Sequence, residues 1–220
     1  MPFDQKRKFI FVHIPKTAGT SIECALDLHR PWHIQDDSVG FGLINSQALL
    51  DYNLSSRFLQ HLTFPELKLV YPELVSQFIS FTVVRDPWSR LISSYCRKDP
   101  EMLQVFNQRF SCDLSTFSFS DYIEVTRIFD HPHLRPQIRF VEDVPGACCV
   151  SPSIKIFKYE KLEALSSWLS LRLDRVVAFP RLNVSIPKTS LPVLDRAEEL
   201  VLRRRVLDIY SEDYELLGYL

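Results

Sequence analysis

The chain has 220 residues, a length that suits one α/β domain with a sizeable core. At 46% hydrophobic and 24% charged, the composition is that of an ordinary globular protein. A net charge of −1 leaves no overall basic field, which argues against a nucleic-acid partner, and five glycines against fourteen prolines argue for fixed loops over flexible linkers.

Phe9 to Ile14 is a continuous apolar run and predicts a buried parallel strand. It stops at Pro15, and Lys16-Thr-Ala-Gly-Thr-Ser21 leads into the apolar-periodic stretch Ile22 to Leu28, a predicted helix. Strand, tight loop and helix in that order set backbone N–H groups, the hydroxyls of Thr17, Thr20 and Ser21, and the Lys16 ammonium at a helix N-terminus. That is an anion site, with phosphate the expected anion. The same hydroxyls also suit a helix cap, and the two uses are compatible. The loop is not the Walker pattern GxxxxGK(S/T), because its lysine precedes the glycine.

Pro31 to Asn53 is poorly periodic, with a short helix expected around Ser46 to Tyr52. Ser56 to Leu62 is expected as a short strand, followed by a turn at Pro65 and a short helix, with another at Pro72 to Gln77. Phe78 to Val84 is β-branched and apolar and predicts a central strand. Pro87 can open a helix, in which Trp88, Leu91, Ile92 and Tyr95 recur at i, i+3, i+4 and i+7 as a buried face. Ser89, Ser93 and Arg97 fall on another face, so Arg85 at the strand end and Ser93 could converge on one oxyanion. An ion pair of Arg85 with Asp86 or Asp99 competes with that reading, and Arg90 reads as structural, with Asp86 as its partner.

Asp99 to Ser118 is ambiguous, and Ser120 to Phe129 predicts a helix capped by Ser118 or Ser120. Ser153 to Lys158 predicts a strand and Leu162 to Leu173 a helix. Ala178 to Pro192 is a proline-bearing loop, Asp195 to Tyr210 a final helix, and Tyr214 to Tyr219 a short terminal piece. Strands alternating with helices argue for a parallel sheet covered on both faces. No repeat, low-complexity tract or linker marks a boundary, so residues 1–220 are read as a single domain.

Cys24, Cys96, Cys112, Cys148 and Cys149 form no CxxC pair and no metal-ligand set. Their odd number and the absence of a signal peptide favour reduced thiols in a cytoplasmic protein, with Cys148 and Cys149 structural or, alternatively, redox-active. No apolar run approaches a membrane span.

With both loops in view, the chain closely resembles the sulfotransferases that use 3′-phosphoadenosine 5′-phosphosulfate (PAPS), in particular the carbohydrate O-sulfotransferases of family 2 type. Their 5′-phosphosulfate loop is similar to His13-Ile-Pro-Lys-Thr-Ala-Gly-Thr-Ser21, and their 3′-phosphate motif RDPxxRxxSxY is matched from Arg85 to Tyr95. The resemblance implies a three-layer, P-loop-like α/β domain with a central parallel sheet flanked by helices. It implies PAPS as donor, 3′,5′-adenosine bisphosphate as product, and no metal. The 5′ end would be held by Lys16, Thr17, Ala18, Gly19, Thr20 and Ser21, with Lys16 also catalytic, and the 3′-phosphate by Arg85 and Ser93.

His61, in Leu59-Gln-His-Leu-Thr-Phe64, resembles the segment that carries the general base of the heparan 2-O type; a satisfied strand-end histidine is the competing reading, and His13 competes for the role. His133, Pro136 and Gln137 resemble an H-x-x-P-Q stretch of the same group, which leaves His133 and Gln137 either orienting a polyol or bonding a neighbouring loop. Tyr159, in Tyr159-Glu-Lys-Leu162, resembles the tyrosine beside the adenine, with packing against the sheet as the alternative. Asn183-Val-Ser185 and Lys188 resemble the loop that closes over the nucleotide, although the Arg-Lys-Gly triplet of some relatives is absent. Many relatives are membrane-anchored; with no apolar run approaching a span, this chain is expected to be soluble without such an anchor.

The expected acceptor is a hydroxyl-bearing small molecule or glycan. A P-loop nucleotide or small-molecule kinase and a non-catalytic nucleotide-binding protein are the competing functions. Acceptor identity and oligomeric state stay open.

Overall fold

The structure, a computed structural model, describes residues 1–180, 182 and 192–220. In chain order the elements are β1 Phe3–Asp4, β2 Phe9–Val12, α1 Gly19–Ala25, α2 Gln47–Leu50, α3 Phe64–Val70, α4 Pro72–Gln77, β3 Ile79–Val84 and α5 Pro87–Arg97. They continue with α6 Pro100–Phe110, α7 Phe119–Ile128, α8 Ile138–Val141, β4 Ile154–Lys158, α9 Leu162–Leu173, α10 Arg196–Ile209 and α11 Ser211–Leu216. The sequence reads as one domain; the described residues gather into two compact units interleaved along the chain, one from 1–84 and 137–180, the other from 85–136 and 192–220.

The first unit is built on a four-stranded sheet of order β1-β2-β3-β4. The strands β2, β3 and β4 are parallel, in a register that sets Phe11 against Phe81 and Thr82 against Ile156. On one face, Phe9, Phe11, Phe81, Val83 and Phe157 pack with Ile22 and Leu26 of α1 and with Leu165 and Leu169 of α9. On the other, Ile10, Val12, Ser80 and Thr82 are equally buried. Burial on both faces is why β2 appears in the sequence as an unbroken apolar run and why β3 carries no charge, whereas β4, with Lys155 exposed, is buried only at Ile154 and Phe157. The antiparallel edge strand β1, only two residues long, is too short to leave a periodic signal.

Two expectations are corrected, and one open stretch is resolved. The first helix opens at Gly19 and ends at Ala25, not over Ile22 to Leu28, because its first turn is polar and carries no apolar period. Ser56 to Leu62 is not a strand: Phe58 makes a single bridge to Leu43, and Leu59–His61 is a 3₁₀ turn. That turn is fixed by one side-chain and one backbone bond instead of a ladder, with Gly42 N–H donating to Gln60 Oε1 at 2.9 Å and Leu59 N–H to the Gly42 carbonyl at 2.9 Å. The ambiguous stretch after Asp99 forms α6, whose N-terminal N–H groups are met by the Asp99 carboxylate.

The second unit packs α5, α6, α7 and α10 around Trp88, Phe106, Tyr122, Val206 and Tyr210. Trp88, Leu91, Ile92 and Tyr95 all face this core, as their spacing predicts. Ser118 caps α7 and Asp195 caps α10, each closing a capping box.

Candidate active site

The loop after β2 is shaped by its backbone. The strand end is pinned by the Thr82 hydroxyl, which donates to the Val12 carbonyl at 2.6 Å. Beyond it, Lys16 (φ 73°) and Ala18 (φ 74°) both adopt the left-handed conformation. For a residue with a Cβ this costs roughly 1–2 kcal/mol each, so the fold holds the loop against strain. Between them Thr17 is fully buried, and its hydroxyl donates to the Ile14 carbonyl at 2.8 Å, which closes the turn. What Thr17 offers an anion is therefore its backbone N–H.

Ala18 is the N-cap of α1 and supplies no side-chain acceptor. The hydroxyl cluster thus does not cap the helix, and its first-turn N–H groups have no intrahelical acceptor either. Left-handed turns next to an uncapped helix start leave backbone N–H groups of the kind that bind anions, and Lys16 and Thr20 beside them are half-buried. The donor set fits the phosphate end of a nucleotide.

Beneath this loop lies a cluster that the sequence did not announce. His13 stacks on Phe11 and brings Nδ1 to 2.5 Å from Oε1 of Glu23, a fully buried carboxylate on α1. Its other nitrogen lies so close to Gly19 that a Cβ there would stand 1.9 Å from Nε2. The second Glu23 oxygen lies 3.4 Å from His29 Nδ1. His61, half-buried on the 3₁₀ turn, meets the His13 ring edge-on at 4.8 Å.

Burial opposes the Glu23 charge, but the charge and hydrogen bond of His13, helped by His29 and His61, outweigh it and pull the carboxyl down to about 2. Burial, reinforced by the neighbouring His13, pushes His61 well below the ordinary imidazole range, against the opposing pull of Glu23 and a hydrogen bond to the His13 backbone. His61 is therefore neutral near pH 7, the form that accepts a proton. Glu23 was legible only as an acid inside the apolar stretch Ile22 to Leu28, a position that demands a partner.

The remaining candidates are spread over both units. Arg85 follows β3 directly and is half-buried, as is Ser93 on α5. Asp86 caps α5 by accepting the Ser89 N–H at 2.8 Å. Arg90 is structural: it is buried, and its guanidinium donates to the carbonyls of Arg135 at 2.9 Å and Pro132 at 3.2 Å, bracing the loop that carries His133. His133 itself is half-buried, with its N–H donating to His131 Nδ1 at 3.3 Å. In the first unit Gln137 is fully buried at the start of α8, and Tyr159, after β4, packs in part against the sheet's apolar cluster. Asn183, Ser185 and Lys188 lie outside the described residues.

Cys148 and Cys149 are exposed thiols. Among the described residues no group of three or more His, Cys, Asp or Glu could hold a metal ion, and no helix is long and apolar enough to cross a membrane.

A parallel sheet with an anion loop between its first parallel strand and an uncapped helix defines an α/β protein of the P-loop-like kind. Within that class, the model described as "Sulfotransferase family" matches residues 2–220, and the chain belongs to the sulfotransferase family. It is thus an enzyme of sulfuryl transfer. Neither the curated proteins nor the solved structures yield a match.

Proposed function

We propose that this sulfotransferase moves a sulfuryl group from PAPS to a hydroxyl on a carbohydrate. The observation that carries the donor half is the left-handed, uncapped loop from Lys16 to Ser21. Bound PAPS supplies an electrophilic sulfur and a nucleotide phosphate as leaving group. The backbone N–H groups of Thr17 to Ser21, with the Thr20 and Ser21 hydroxyls, hold the 5′-phosphate. Lys16 opposes the negative charge that grows beside it as transfer proceeds, commonly the largest catalytic term.

Arg85 is assigned to the 3′-phosphate through its planar fork, with Ser93 as a hydroxyl donor and Lys188 adding charge. Tyr159 borders the adenine, and His133 and Gln137 are assigned to the acceptor side. His61 takes the proton of the attacking hydroxyl, a role worth about 10²–10⁴-fold. Calorimetry with 3′,5′-adenosine bisphosphate, set against ATP with magnesium, is the test. Preferential binding of the bisphosphate is expected. A folded sample that binds only ATP with magnesium, or neither nucleotide, refutes the donor assignment.

A further inference from the structure

Trp32 is 60% exposed, yet it is held in place. Its ring meets Phe58 edge-on at 6.1 Å and His33 edge-on at 5.6 Å. Phe58 in turn meets His61 edge-on at 6.4 Å. An aromatic path thus runs from an open indole to the proposed base.

The segments carrying these rings are cross-braced. Ile44 N–H donates to the Arg57 carbonyl at 2.9 Å, beside the Leu43–Phe58 bridge, and Gln35 Oε1 accepts the Asn45 and Ser46 N–H groups at 2.6 and 3.0 Å. Gly42 adopts φ +97°, and a Cβ there would stand 1.7 Å from the Ile34 carbonyl oxygen, so the two limbs pack backbone to backbone. Trp32 therefore presents its exposed surface with little ordering cost left to bear on binding.

We propose that Trp32 is the acceptor platform, and that the acceptor is a saccharide of at least two units. One sugar lies flat on the indole while a hydroxyl of the next reaches His61. A pyranose face carries weakly positive C–H groups that pack on the electron-rich face of an indole, while its hydroxyl rim stays hydrated. A compact apolar acceptor would instead need an enclosing pocket around it. Ring-to-ring steps of 6.1 and 6.4 Å by way of Phe58 place the platform no farther from the base than their sum, within the reach of a disaccharide. The inference rests on the carbohydrate sulfotransferase reading above.

The test is transfer from labelled PAPS to an array of neutral, amino and uronic glycans, with p-nitrophenol as a compact comparator. Steady-state kinetics then follow on the best glycan for Trp32→Ala and Trp32→Phe. Trp32→Ala is expected to raise the glycan KM roughly tenfold, with the donor KM unchanged, and Trp32→Phe to recover most of the loss. An unchanged glycan KM in Trp32→Ala overturns the platform while leaving the enzyme's function intact. A wild-type protein that labels p-nitrophenol and no glycan overturns the saccharide reading itself, and the platform with it. Binding of 3′,5′-adenosine bisphosphate by Trp32→Ala checks that the variant is folded.

Discussion

His13 Nδ1 stands 2.5 Å from Oε1 of Glu23, with the imidazole nearly buried and the carboxylate fully so. A carboxyl held at about 2 against an ordinary 4.5 contributes stability that is complete above pH 4.5 and is lost as the pH falls towards 2. At neutral pH that contribution is about 3 kcal/mol. Glu23→Gln should therefore be less stable than the parent at pH 7 by roughly this amount, and should show a much shallower loss between pH 4.5 and pH 2. Urea denaturation across that range reads both. Parallel curves for the two proteins would mean that Glu23 carries no such charge-linked stability.

The contact between His13 and Gly19 gives a second expectation. A Cβ at position 19 would stand 1.9 Å from His13 Nε2, and the ring cannot swing away without abandoning Glu23. Gly19→Ala should cost roughly 1–3 kcal/mol through overpacking. In a His13→Ala background the same change should cost almost nothing, since the obstructing ring is gone. Additive losses in the double-mutant cycle would contradict this.

His61 must be neutral to accept a proton, and its surroundings hold its titration well below 6.5. Activity should accordingly fall on the acid side through an inflection below pH 6.5, and stay flat from there through neutral pH. His61→Ala should abolish turnover while still binding 3′,5′-adenosine bisphosphate. A variant with near-parent turnover would remove His61 from the chemistry and bring His13 forward as the base.

The two ends of the donor should separate kinetically. Arg85 is assigned to a phosphate remote from the breaking bond, so its contact is similar in ground and transition states. Lys16 is assigned to the bond at which charge develops. Uniform binding lowers KM, and transition-state binding raises kcat. Arg85→Ala is expected chiefly to raise the donor KM, and Lys16→Ala to lower kcat by roughly 10²-fold or more. Steady-state kinetics at saturating acceptor decide it, and the opposite pattern would reverse the donor's orientation.

Phe9 to Val12 and Ile79 to Val84 were recognisable as strands from the sequence because a strand buried in a parallel sheet is largely apolar along its length, whereas Ile154 to Lys158, with two lysines and only Ile154 and Phe157 buried, left a weaker signal. The face of α5 was equally legible, since Trp88, Leu91, Ile92 and Tyr95 repeat with the helical period. The Lys16 to Ser21 loop was legible too, because residue order alone puts N–H groups and a cation after a strand. Local pattern of this kind records how each residue is buried or where the chain must turn.

It does not record which side chains meet. Glu23 is ten residues from His13, and Trp32 is linked to His61 through Phe58. Those encounters depend on how α1 packs on the sheet and how the Gly42 crossing braces its loop, which no periodicity encodes. The sequence by itself determined the strand–loop–helix frame and the family to which it belongs. The tertiary structure decided that a buried carboxylate, two imidazoles and an open indole share that frame, because long-range packing alone fixes the distances on which their chemistry depends.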